Sequence, residues 1–476
     1  MHRTVFERQA PPASAIDHAL AETRHEVFWL DDIDRAAHPR LEGDHDADLV
    51  IVGGGYTGLW TAIVAKERNP ALTVVLLEGK RVGWAASGRN GGFVEASLTH
   101  GEENGQRRWP EELPLLDALG LQNLDEIEAT IARYDMKVDA QRTGTLALAV
   151  EPHQVEWLRE EPVDDDHVFL DETAVRAEVN SPTYLAATWD KRGTLLAHPG
   201  KLALELARVA VGLGVEIFEH SPARSIDDDP SGPADAGVVV TTSRGSVRAE
   251  QAVLATNVFP SLLKRNRLMT VPVYDYVLAT EPLDAAQLAS IGWTNRQGLA
   301  DLANQFHYYR MTADDRIVFG GYDAVYHYGG RVRESYEDRP ESFRKLASHL
   351  LTTFPQLEGI RFTHRWAGAI DTSTRFCAFY GTARGGRVAY AAGFTGLGVA
   401  ATRFAAQVML DQLDGADTER TRLRMVRERP LPFPPEPAAS MGINATRWSL
   451  DRADHSEGRR NVLLKALDAV GLGFDS

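Results

Sequence analysis

Asp48-Leu49-Val50-Ile51-Val52-Gly53-Gly54-Gly55-Tyr56-Thr57-Gly58 is the stretch from which the fold of this chain is read. Residues 49–52 form an apolar, β-branched run of the kind that makes a parallel strand covered on both faces. Gly53, Gly55 and Gly58 then complete G-x-G-x-x-G. In this pattern the first glycine allows a tight turn, the second lets backbone approach a pyrophosphate, and the third lets a helix pack close to the strand. The predicted helix carries Leu59, Trp60, Ile63 and Val64 on its apolar side. Its N-terminus, with Tyr56 and Thr57, turns unpaired N–H groups and a partial positive charge toward phosphate. A second strand over residues 73–77 ends in Glu78, where a ribose-binding carboxylate is expected, followed by Gly79 and Lys80. Strand, glycine turn, helix, strand and acid in this order predict a dinucleotide site.

The next question is which dinucleotide. Residues 79–93 read Gly-Lys-Arg-Val-Gly-Trp-Ala-Ala-Ser-Gly-Arg-Asn-Gly-Gly-Phe. Such a stretch is either a surface loop or a second cradle of backbone N–H groups over Asn90, Gly91 and Gly92. In the second reading Ser87 and Arg89 reach phosphate or ribityl oxygens. A nicotinamide dehydrogenase has no need of this loop, whereas a flavin lying extended across the domain does. Residues 252–257 form another predicted strand, whose end (Ala255, Thr256, Asn257) is small enough to lie against a nucleotide. Far along the chain, residues 388–393 form the last predicted core strand. It runs into Phe394-Thr395-Gly396-Leu397-Gly398 and an amphipathic helix over residues 399–413. That helix N-terminus suits the pyrimidine end of a flavin, where negative charge gathers on reduction.

The substrate side is read from a predicted hairpin over residues 306–321. Along its first strand His307 and Tyr309 share one face, and Phe306, Tyr308 and Arg310 the other. Aromatic walls stabilise a cationic amine, and a guanidinium holds a carboxylate or phosphonate through paired hydrogen bonds. The alternative is that the tyrosines are sheet packing and that Arg310 makes a structural ion pair. Tyr276, in a predicted strand over residues 271–280, and Thr395 are further substrate candidates. His198 reads as a residue at a helix start rather than a base. No catalytic triad is found, and no catalytic residue is assigned.

Composition bounds the remaining classes. The chain has 476 residues, 43% apolar, with a net charge of −16. That balance argues against nucleic acid and anionic membrane as partners and predicts a cytoplasmic protein. Cys377 is the single cysteine, which excludes an internal disulfide and a cysteine-cluster metal site, and no metal is predicted. Neither a signal peptide nor a membrane-spanning run is seen. Residues 1–46 read as a polar leader pinned by Phe28, Trp29 and Leu30. Residues after 415 read as a charged, then proline-rich arm and one terminal amphipathic helix over 445–475.

Three elements, residues 50–58 with Glu78, residues 87–92 and residues 393–398, resemble the D-amino-acid oxidase superfamily of flavoproteins. Within it the chain is most similar to bacterial amine oxidoreductases of the γ-glutamylputrescine oxidoreductase branch, over residues 47–415. The resemblance implies an α/β (α+β) two-domain fold. A Rossmann-like FAD-binding domain would be built from discontinuous segments 47–135, 193–262 and 363–415. A mainly antiparallel β-sheet substrate domain would take 136–192 and 263–362, leaving 1–46 and 416–476 outside both. It further implies Gly53, Gly55 and Gly58 at the pyrophosphate, Glu78 at the ribose, and residues 87–92 on the phosphate and ribityl side. Thr256 and Asn257 would lie near the nucleotide, and Gly396 and Gly398, in the turn with Gly393 and Leu397, beside the flavin ring. Arg310 takes the place of the arginine that holds a substrate carboxylate.

The activity implied is oxidation of the C–N bond of a small amine or amino acid, by hydride transfer to flavin N5. The imine hydrolyses, and O2 reoxidises the flavin to give H2O2. FAD is expected without a covalent link, since Cys377 does not stand where some relatives attach it. The alternatives are an amine dehydrogenase feeding a quinone or other carrier, a monooxygenase needing an NAD(P)H site, and a non-catalytic flavin-binding protein. The sequence does not select among primary or N-methylated amines, polyamine derivatives, amino acids and aminophosphonates, nor does it give the oligomeric state.

Overall fold

The computed structural model describes residues 2–31, 33–161, 163–230, 237–469 and 471. Two sheets form its frame. In the first, the strand Gly43–Val52 lies parallel between Val74–Leu77 and Gly245–Leu254, with Val50 opposite Val75 on one side and Ala252 on the other. Val215–Phe218 and Val388–Ala392 extend it in parallel at either side. Alternation along the central strand, with both faces covered, explains why its buried half, residues 49–52, is apolar without a break. Leu49 and Ile51 pack with Leu59, Trp60 and Ile63 of the helix Tyr56–Arg68, while Val50 and Val52 enter a second core with Val75, Leu77 and Leu254. Helices Pro199–Gly212 and Gly398–Leu413 complete the first of these layers.

The second sheet has ten strands among the described residues and is largely antiparallel. Its longest ladder joins Thr270–Thr280 to Phe362–Ser373. The expected hairpin is present as His307–Met311 against Ile317–Gly321. Helix Pro340–Thr353 covers one face through Phe343, Leu346 and Leu350. The two-domain α/β architecture expected from the sequence is therefore the one observed.

Three expectations are corrected. The strand Phe362–Ser373 was expected with the nucleotide unit from residue 363, but it pairs along its length in the antiparallel sheet, so the chain crosses over after Ser373. The parallel strand begins at Gly43, so the leader ends before residue 47. The single terminal helix is two, Ala438–Asp454 and Val462–Ala469, because Glu457 and Gly458 take left-handed backbone angles (φ 56 and 74) that end the first. Residue 470 and those after 471 lie outside the described residues. The leader is fastened by Phe28 and Trp29, buried against Val277, Ala279, Val318 and Trp366. No helix among the described residues is long and apolar enough to cross a membrane.

His198 caps the helix Pro199–Gly212, its Nδ1 accepting the Lys201 N–H at 3.1 Å. Burial first, and then the Lys201 charge, push its pKa down to about 3 from 6.5. Between these values the unfolded chain binds a proton that the folded chain refuses, so stability rises with pH through this window. His198→Asn keeps a capping side chain. It is expected to flatten the fall in melting temperature between about pH 6 and pH 4; an acid limb as steep as the wild type's would exclude this histidine as its source.

Candidate functional site

The two sheets enclose one large cavity of about 2030 Å³. Small-molecule pockets typically reach ~300–1,000 Å³, so there is room for an extended cofactor and a second molecule. Both helix N-termini that the sequence singled out, at Tyr56 and at Gly398, open on it. The first loop is held by close approach. At Gly53 (φ +118) a Cβ would lie 2.3 Å from the Ala255 carbonyl oxygen, and at Gly58 one would lie 1.9 Å from the Gly53 oxygen. Ser87 Oγ accepts the Tyr56 N–H at 2.9 Å, which ties the second glycine loop to the first.

Glu78 ends its strand inside this cradle. Its Oε2 accepts the Gly54 N–H at 2.7 Å, and its Oε1 accepts the Lys80 N–H at 2.7 Å and the Trp84 indole N–H at 2.9 Å. Burial raises its pKa, and these donors oppose the rise. Trp84 meets Phe259 with ring centres 5.5 Å apart and planes tilted by 35°, and Lys80 Nζ sits 4.0 Å from the Trp84 ring centre. This aromatic wall was missed in the sequence because its members are 175 residues apart (259 less 84).

Of the cofactor candidates, Gly53, Gly55, Tyr56, Thr57, Glu78, Gly79 and Lys80 border the cavity, as do Ser87, Arg89, Asn90 and Gly91. So do Ala255, Thr256, Asn257, Gly396, Leu397 and Gly398. Gly58, Gly92 and Gly393 do not; each lies where a neighbour leaves no space for a side chain. Arg89 was expected to reach phosphate or ribityl oxygens. Instead its guanidinium pairs with Glu337 at 2.5 Å and donates to the Ala367 and Trp84 carbonyls, both at 2.9 Å, fastening the loop to the antiparallel sheet. Asn90 is spent on its own loop, donating to Ala86 and Ser87 carbonyls and accepting the Gly92 N–H.

The hairpin divides the substrate candidates. Tyr308 borders the cavity, its ring wedged where side chains at Gly91 and Gly320 would stand. Its hydroxyl donates to Asp275, whose pKa burial lifts to about 6. His307 and Tyr309 face the other way, into the core under helix Pro340–Thr353. There His307 contacts Asp301 Oδ2 at 2.6 Å and His349 at 2.8 Å, and Tyr309 shares a hydrogen bond with Tyr184 at 2.7 Å. Tyr276 is also core, its hydroxyl donating to the Tyr336 carbonyl at 2.9 Å. Arg310 is buried beneath the second glycine loop, donating to the carbonyls of Gly92 (3.1 Å) and Ala197 (2.8 Å). It does not border the cavity, and its partners are carbonyls rather than the acid expected. Thr395 borders the cavity, with Oγ1 donating to the Gly393 carbonyl at 2.9 Å and accepting the Ser373 N–H at 3.1 Å.

Asp371 was not foreseen. It borders the cavity, accepts the Gly393 N–H at 2.5 Å, and burial lifts its pKa to about 7. The arm was also not foreseen as part of the site. Leu431, Phe433, Ile443 and Leu450 line the cavity. The arm is tied by polar contacts: Asp454 accepts from Asn304 N (2.8 Å) and Nδ2 (2.7 Å), and Glu436 from the Tyr326 hydroxyl (2.7 Å). Cys377 is buried and off the cavity wall, so no thiol is available to link a cofactor.

The residues fit FAD: two glycine-bounded helix starts on one cavity, a carboxylate at the end of the strand next to the first of them, and an aromatic wall beside it. Comparison with known proteins agrees. The profile of a family described as FAD dependent oxidoreductase matches residues 48–412. γ-Glutamylputrescine oxidoreductase of Escherichia coli is 32% identical over 391 residues, covering 78% of this chain and 84% of that protein. Probable oxidoreductase OrdL of Haemophilus influenzae is 29% identical over 393 residues, covering 80% and 85%. Glycine oxidase from Geobacillus kaustophilus superposes with a TM-score of 0.64 at 18% identity, over 81% of this chain and 99% of that one.

Proposed function

The chain belongs to the DAO family of FAD-dependent oxidoreductases, and on that premise we propose that it oxidises the C–N bond of a small amine or amino acid. The chemistry that noncovalently bound FAD supplies is uptake of a hydride from the carbon bearing nitrogen, leaving an imine that water hydrolyses. The supporting observation is the pairing of Tyr308 with Asp275 on the cavity wall. With its proton committed to that carboxylate, the Tyr308 oxygen accepts further hydrogen bonds, and an amine N–H donates one. The wedged ring gives a flat surface of negative π density that suits an amine still carrying its proton. Leu431, Phe433, Ile443 and Leu450 of the arm exclude water from the far side. The amine is thus held at one orientation against the glycine loops, which is the main demand such a reaction makes of its protein.

We take O2 as the electron acceptor and the cytoplasm as the location. The test is an anaerobic screen of amines and amino acids, read as bleaching of the flavin band near ~450 nm, followed by admission of air and assay of peroxide. Reduction by at least one amine and stoichiometric peroxide are expected. A flavin that no amine bleaches overturns the reading; bleaching without peroxide transfers the acceptor role to a carrier.

A further inference from the structure

Strand Phe93–Glu95 pairs antiparallel with Thr194–Leu196, with Glu95 opposite Thr194. Val94 points into the core and is fully buried, so Phe93 and Glu95 share the opposite face, and both border the cavity. Phe93 meets Tyr308 edge-on at 5.9 Å. Ala147 and Ala300, on paired strands, line the same cavity. The other carboxylates of this chamber are engaged: Asp275 by Tyr308, Asp301 by His307, Asp371 by Gly393 and Glu337 by Arg89. Glu334 is not, but lies on the exposed rim. Among the described residues, no side chain donates to the Glu95 carboxylate and no cation pairs with it. Burial first, and then the like charge of Asp190, lift its pKa to about 7.

A carboxylate held in such a place without a counter-charge is costly to the protein alone and is relieved by a cation that arrives from outside. Its position says which cation. Gly91 borders the cavity in the glycine loop, Phe93 follows with Tyr308 beside it, and Glu95 is a further two residues along the strand, about 6–7 Å more distant. We infer that Glu95 is a specificity-determining residue that receives a second, distal positive charge of the substrate, so that the preferred substrates are diamines or longer polyamine-like chains. The inference rests on the amine-oxidising reading for which end of the substrate lies at the glycine loop.

The experiment compares cadaverine with n-pentylamine, which differ by the distal ammonium, on FAD-loaded wild type and Glu95→Gln. Affinity is read by calorimetry and flavin reduction by anaerobic stopped flow. The wild type is expected to bind cadaverine at least about tenfold more tightly than n-pentylamine. In E95Q that preference should fall to within about twofold, with n-pentylamine binding, FAD content and melting temperature unchanged. Equal affinity of the wild type for the two amines overturns the inference, and so does an E95Q that weakens both alike. The wild-type comparison decides the matter even where E95Q loses its cofactor. Calorimetric preference for the diamine without flavin reduction would sink the oxidase reading and leave Glu95 standing; reduction without preference would do the reverse.

Discussion

Gly58→Val is expected to give protein that is colourless as purified and takes up added FAD at least ~100-fold more weakly, equivalent to about 2.8 kcal/mol. A Cβ at this position would stand 1.9 Å from the Gly53 carbonyl oxygen and 3.2 Å from Ile51 Cγ2. The first of these is backbone of the glycine turn and the second belongs to the buried central strand, so neither can yield locally. The helix Tyr56–Arg68 must therefore back away from the sheet, taking with it the N–H groups and the dipole that face phosphate. Overpacking of this kind costs about 1–3 kcal/mol in stability, and more where the clash is with backbone. The measurement is flavin absorbance per unit protein, with melting curves before and after adding FAD. A yellow variant with a wild-type melting temperature would show that the turn does not grip the cofactor.

Arg310→Ala is expected to be nearly as severe, and for a reason unlike the one the sequence suggested. The guanidinium is buried, 3% exposed, and its Nη1 serves the Gly92 and Ala197 carbonyls at 3.1 and 2.8 Å. It also lies over the Trp29 ring at 5.7 Å. Truncation strips the arginine donor from the Ala197 carbonyl, leaves the Gly92 carbonyl with only the Ala197 N–H (2.9 Å), and opens a void beside the second glycine loop, for a loss of about 3–5 kcal/mol. A marked drop in melting temperature and partial loss of FAD should follow, while KM for an amine, measured on the fraction that keeps its cofactor, stays within about twofold of wild type. A raised KM with an unchanged melting temperature would return Arg310 to the substrate. Arg310→Lys should recover only part of the loss: both carbonyls are served by Nη1 alone, a role an ammonium can take over, but the planar contact over the Trp29 ring goes.

These two residues also mark what the sequence made legible. Gly58 sits in a local pattern: strand, turn and helix are contiguous, and the spacing of the glycines follows from the geometry of one turn, so the first half of the site could be read outright. The hairpin was legible as a hairpin, and its alternation placed His307 with Tyr309 and Tyr308 with Arg310. Which face met the cavity was not legible, because both faces of that strand are covered, one by helix Pro340–Thr353 and residue Phe6, the other by the chamber and the glycine loop. Even shared parity misled for Arg310, since the chain crossing at Gly92 and Ala197 screens it from the chamber. Asp371 and Glu95 were missed for the same kind of reason. Each becomes conspicuous only once distant strands pair and bury it on the cavity wall.

The arm's packing has a consequence for how such a catalyst changes its diet. Leu450, Ala453 and Leu464 make a small cluster of their own, separate from the cores under both sheets. A roof with its own keel, moored to the hull by carboxylates such as Asp454 and Glu436, can be remodelled plank by plank. Substitutions there alter what fits beneath without loosening the electron-accepting floor, so new tastes can be acquired while the redox engine is left alone.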